Sequence, residues 1–220
     1  MLGESRYFHR VPLIILLLDL VLVISLIAAP LTLESGTVKG LYGGANRIDY
    51  WDRWNDMDPF HMSVYLFGDF NCHQRESRTL IMNDNQMPVC ARDTAIFLGI
   101  LVGSALMFRA VADDSPLETF KSLFPRRIRK RMAGKYGVVA IVLVIGLLML
   151  PTALDGGIQM ISKFSFWPLG SEYESTNPTR IVTGLPTGIA AALILNILLM
   201  SLFSRRDDGS EPLISFPGGK

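Results

Sequence analysis

Four stretches of the chain are almost purely apolar, and polar residues gather between them. Residues 11–33, 137–154 and 182–203 each approach or exceed the length that crosses a ~30 Å hydrocarbon core at ~1.5 Å per helical residue. The fourth stretch, residues 94–108, is shorter, but its small residues suit a span packed against neighbours. The pattern predicts an all-α integral membrane protein: a four-helix transmembrane bundle forming one membrane domain over residues 1–220. The first apolar run is longer than the ~7–15 residues of a signal-peptide core, so it is expected to stay as an anchor.

Four spans place both termini on one side, together with the loop 109–136. That loop holds "FPRRIRKRMAGK", and Arg6, Arg10, Arg205, Arg206 and Lys220 flank the outer spans. The positive-inside rule then puts N- and C-termini in the cytoplasm of a multi-pass cell-membrane protein. The basic run serves as a topology signal, or binds anionic lipid headgroups in addition. Loops 34–92 and 155–180 fall on the extracytoplasmic face and form a cap. In the first of these, Tyr50, Trp51 and Trp54 suit the membrane interface, and Asp49, Asp52, Asp56 and Asp58 form a solvated acidic face without the spacing of a calcium loop.

Inside the spans, Asp19 is costly in lipid and is expected to face the bundle or a partner. Gly99, Gly103, Ser104, Gly184 and Gly188 allow helices to approach closely. Pro151 and Pro186 mark kinks or helix ends, and residues 162–170 read as an interfacial segment. The formal net charge is only +1, which argues against a nucleic-acid partner. The lipid bilayer is the expected surrounding, and nothing in the pattern sets an oligomeric state.

The cap carries the chemistry. "NCHQRESR" contains Cys72, and Cys90, the other of the two cysteines, follows in "PVCARDTA". In an oxidising compartment a Cys72–Cys90 disulfide is the simplest pairing, closing a loop worth ~3 kcal/mol by chain entropy. Cys72, His73, Cys90 and Asp93 are also acceptable ligands for zinc or iron. Asp93 is alternatively explained as the N-cap of the second span. A redox relay would need a second cysteine pair, which the chain lacks.

Charge placement adds a second clue. Arg92 and Arg180 stand at helix N-termini, where the macrodipole disfavours cations, and Asp155 follows a span at a negative end. Such charges require partners. Either Asp155 and Glu174 neutralise the arginines in an internal network, or the arginines and helix ends form an anion site. In the second case Gln74, Arg75, Arg92, Gln159, Asn177 and Arg180 would bind a substrate. His73, Asp155 and Glu174 would serve as acid or base.

The words "CHQRES", "MPVCARDTAIFLG", "DGGIQ" and "ESTNPTRIVTGLPTG" together resemble an uncharacterised family of small multi-pass membrane proteins with a domain of unknown function, found in archaea and bacteria. The resemblance covers roughly residues 70–190. It rests on Cys72, His73, Gln74, Arg75 and Ser77; on Pro88, Cys90 and Arg92; on Asp155, Gly156 and Gln159; and on Glu174, Ser175, Asn177, Arg180, Thr183 and Gly184. Many members place a cysteine where this chain has Asp93, so a ligand exchange at that position is chemically sensible. The resemblance implies no established activity. Two functions are therefore expected to compete: an extracytoplasmic polar site that binds or processes an anionic lipid-linked substrate, with metal assistance, and a non-catalytic subunit or scaffold held by the same residues.

Overall fold

Long apolar runs fold as helices in lipid because every backbone group must find its partner within the segment. The computed structural model describes residues 10–132, 135–164 and 172–207. It is mostly helical, and three of its helices are long and apolar enough to cross a membrane. These are α1 (Arg10–Thr32), α7 (Lys135–Ile161) and α8 (Asn177–Asp207). Between α1 and α8 in chain order lie α2 (Trp51–Asn55), α3 (Pro59–Asn71), α4 (Ala91–Met107), α5 (Pro116–Ser122) and α6 (Arg126–Arg131). The expected second span is α4, whose 17 residues reach about 25 Å.

Glycines let α4 and α8 run together along most of their length. A Cβ at Gly188 would stand 1.9 Å from the Ile96 carbonyl oxygen, and one at Gly99 would stand 2.2 Å from that of Leu185. Only hydrogen fits there, so the small-residue pattern is a packing device as expected. α7 docks on α8 more lightly. Thr152 Oγ1 donates to the Thr183 carbonyl at 2.6 Å, and Thr187 Oγ1 donates to Thr152 at 2.8 Å. Ile141, Val144, Ile145 and Leu148 pack inward, while Val138, Val142, Leu143, Leu147 and Leu150 are exposed, as on a helix with one face toward lipid.

The cap corrects the all-α expectation. Residues 34–92 are not a simple loop: they hold α2, α3, a single 3₁₀ turn (Glu76–Arg78) and an antiparallel hairpin of β1 (Thr79–Met82) and β2 (Asn85–Cys90). Met82 pairs with Asn85 across the two-residue turn Asn83–Asp84. Both turn residues have positive φ, 48° and 59°, the backbone that a tight hairpin requires and that Asn and Asp tolerate. Trp54 is also corrected. It does not lie at a membrane interface but is fully buried in the cap core. It stacks on Tyr65 with ring centroids 5.1 Å apart, and its indole donates to Asp69 Oδ2 at 2.8 Å.

Two further boundaries move. α7 continues through Pro151 to Ile161, and α8 begins at Asn177 and continues through Pro186. Asp155, Gln159 and Arg180 therefore stand on helical turns, where their directions are set by the helix, rather than on a loop spanning 155–180. Residues 109–136, expected as one basic loop, contain the short helices α5 and α6. The expected interfacial segment 162–170 lies outside the described residues from 165 onward, as do Arg6 and Lys220.

Candidate functional site

The end of β2 leads straight into α4, and this junction organises the site. Cys90 is the N-cap of α4 and makes no side-chain cap bond. Asp93, expected as that cap, instead sits in the first turn with Oδ2 3.2 Å from Cys90 Sγ. Cys72 ends α3 and turns its sulfur to the same place, accepting from the Cys90 backbone N–H at 3.3 Å. Both cysteines are free thiols. The donor atoms of Cys72, Cys90 and Asp93 lie within 4.8 Å of one another. A hydrogen bond to Cys90, burial and the charge of Asp93 push the Cys72 thiol up, whereas the same hydrogen bond draws Cys90 down. Of the two, Cys90 is therefore the thiol that gives up its proton more readily.

His73 is not part of this cluster. Its side chain is exposed, and its carbonyl accepts from Gly43 N at 2.9 Å. Partial desolvation and the charges of Arg75, Arg78 and Lys163 hold its pKa below the usual histidine value. Gln74 has positive φ, 43°, and is fully buried. Its amide donates to the Pro88 carbonyl at 2.9 Å, while its own carbonyl accepts from Gln86 at 2.6 Å. Arg75 stacks over Tyr42 at 4.4 Å. These two residues hold the cap together.

The ion pairs come from the 3₁₀ turn Glu76–Arg78, α4, α7 and the segment before α8. Arg92 pairs with Asp155, and Tyr173 Oη donates to the other carboxylate oxygen at 2.8 Å. Arg78 Nε meets Glu174 at 2.8 Å, with Ser77 Oγ donating to the same oxygen at 3.3 Å. That contact is what holds the Glu174 carboxyl below the usual range. Asn177 Nδ2 donates to the Thr79 carbonyl at 3.2 Å and ties the start of α8 to β1.

Arg180 is left over. It is 2% exposed, yet its guanidinium donates only to neutral groups: the Ser175 carbonyl at 3.0 Å and the Gln159 amide oxygen at 3.4 Å. Among the described residues no carboxylate lies within ion-pair distance of it. The buried donors Arg92 Nε and Gln159 Nε2 have no acceptor either.

Residues 72–194 match the family described as "Predicted membrane protein (DUF2085)". The chain belongs to that family. The DUF2085 region begins at Cys72 and contains every residue of the thiol cluster and of the arginine network. Helices α1, α2 and α3, with Asp69, precede it. A protein of Methanothermobacter thermautotrophicus, named only as uncharacterized, is 29% identical over 127 residues, 58% of this chain and 86% of its own length. No solved structure matches.

Within the DUF2085 region, sequence reasoning missed two participants. Arg78 sits in the quoted word "NCHQRESR" but gives no sign that its partner lies 96 residues away. Tyr173 carried no signal at all, since its role exists only because α7 extends far enough to present Asp155. The remaining expected residues all lie in the cap, divided between structural ties (Gln74, Arg75, Asn177), ion pairs (Arg92, Asp155, Glu174), the thiol cluster, and the pair Arg180–Gln159.

Proposed function

We propose that this chain is a four-span integral membrane protein, with α4 as the additional span and both termini in the cytoplasm. Its extracytoplasmic cap binds the anionic headgroup of a lipid or lipid-linked molecule at Arg180. One observation carries the reading: a buried guanidinium that hydrogen-bonds only to neutral groups, with Asp155 and Glu174 acting on it from beyond ion-pair distance. A buried cation without a directly bonded counter-ion is costly to desolvate. A phosphate or carboxylate offers the matching oxygens and is bound in a bidentate manner by arginine. Arg92 Nε and Gln159 Nε2, buried donors without an acceptor among the described residues, present the polarity that an anion needs. Arg180 also lies in the first turn of α8, a helix end that favours negative charge. Its place near the end of an apolar helix suits a ligand at headgroup depth.

In this reading Asp155 and Glu174 hold arginines in position. His73 is the acid–base candidate without an ion pair among the described residues, so any processing of the bound group falls to it. The reading is tested by purifying the full chain from anionic and zwitterionic nanodiscs and measuring retained lipid by native mass spectrometry. Wild type is expected to retain anionic lipid selectively. Arg180→Gln is expected to lose that selectivity while eluting as folded protein, with Arg180→Lys between the two. Equal retention by wild type and a folded Arg180→Gln protein overturns the assignment. Loss of folded protein in both variants would instead make Arg180 a member of the structural network and favour the scaffold.

A further inference from the structure

Asp93 has no structural use in the positions that normally occupy such a residue. It does not cap α4, although it lies in the first turn. Among the described residues no lysine or arginine pairs with it. Its carboxylate is instead turned onto the sulfur of Cys90, with Cys72 closing the triangle. An acid and two thiols held together, with no cation among them, are the donor set of a soft divalent metal.

We propose that Cys72, Cys90 and Asp93 bind a zinc ion through three protein ligands, with a fourth coordination position left open in the cap. The distances suit it. Tetrahedral zinc at ~2.3 Å from sulfur and ~2.0 Å from a carboxylate oxygen separates the two by roughly 3.5 Å, and Cys90 Sγ and Asp93 Oδ2 are 3.2 Å apart. Cys90 and Asp93 are three residues apart at a helix start, which stacks them on one face. The Cys90 N–H donated to Cys72 Sγ is the outer-shell bond that orients a metal thiolate. Two thiolates favour zinc over magnesium or calcium. His73, adjacent to Cys72, is not among the ligands. Two thiolates and a carboxylate leave the bound ion one negative charge in excess. Three ligands with an open position are the pattern of zinc that activates or binds a further group, whereas closed four-ligand sites are structural.

This inference goes beyond the anion site and stands without it, because metal content is read with no headgroup present. The full chain is purified in detergent under reductant, loaded with zinc chloride, desalted and assayed by elemental analysis. Native thiol titration follows, before and after chelation. The expected result is about one zinc per chain, with both thiols protected until the chelator is added. Asp93→Asn is expected to weaken zinc retention at least roughly tenfold with the protein still folded. Asp93→Cys is expected to tighten it and to strengthen the thiolate charge-transfer bands of the cobalt form. Two reactive thiols with no zinc retained, or a Cys72–Cys90 disulfide that forms in wild type despite zinc loading, overturns the proposal. So does zinc retention unaltered in both Asp93 variants.

Discussion

Each buried polar residue of the cap is held by a different device, and the device decides what it can do. Asp69 accepts from Asp49 N, Tyr50 N and Trp54 Nε1 on a single oxygen, which locks α2 against α3. Gln86 spends its amide on Leu41 N and the Gln74 carbonyl. Glu174 is different because half of its side chain is exposed, so its contact with Arg78 can titrate. Its carboxyl pKa is depressed, chiefly by the Arg78 hydrogen bond. The stabilisation is therefore fully present above its unfolded value of about 4.3 and is lost as pH falls through the lower folded value. Thermal unfolding of wild type and Glu174→Gln is expected to differ by a constant amount above about pH 5 and to converge progressively as pH falls below the unfolded value.

At the scale of the element, the pairing of α4 with α8 positions the site, since Arg92 and Asp93 stand on one helix and Arg180 on the other. The pairing depends on backbone contact at glycine. Gly188→Val places a side chain where the Ile96 carbonyl lies 1.9 Å from the first added carbon. Something must move, so a loss of about 2 kcal/mol or more is expected, read as a lowered melting temperature in detergent. Gly146, inside α7, has nothing within 4 Å of an added Cβ. Gly146→Ala is expected to be neutral or to stabilise by up to about 1 kcal/mol, the helix preference for alanine. Equal effects of the two substitutions would contradict the close approach.

For the whole molecule, the two apolar clusters lie at different levels of the bundle. One, with Trp54, Tyr65, Met87 and Leu41, fills the cap. The other, with Met107, Phe120, Met132 and Met200, packs α5 against the opposite ends of the long helices. The basic helix α6 adjoins this second cluster, so in the proposed orientation it faces the cytoplasm and the thiol cluster lies outside. Single cysteines added at Ile128 and at Glu172, in a Cys72→Ala, Cys90→Ala background, test the arrangement. A membrane-impermeant maleimide is expected to label the Glu172→Cys protein on intact cells and the Ile128→Cys protein only after permeabilisation. The reverse pattern would turn the proposed site to the cytoplasm.

The sequence by itself determined that the chain carries helices long and apolar enough to span a membrane, because lipid leaves a chain few ways to satisfy its backbone. It also marked the words that carry polar chemistry, and the glycines that bring α4 to α8. The tertiary structure decided the pairings. Nothing local distinguishes Arg92, which pairs with Asp155, from Arg180, which hydrogen-bonds only to neutral groups; the difference arises because α7 continues past Pro151 and carries Asp155 to α4. The Asn83–Asp84 hairpin was legible in principle, as a turn between two strand-like runs, yet it sat inside a segment read as loop. Asp93 looked like a cap because local sequence favours that role. Only the return of α3, which brings Cys72 to the same point, turned it toward sulfur. Such outcomes depend on contacts between residues far apart in the chain, whose distances are set by packing and are not written in any short stretch of it.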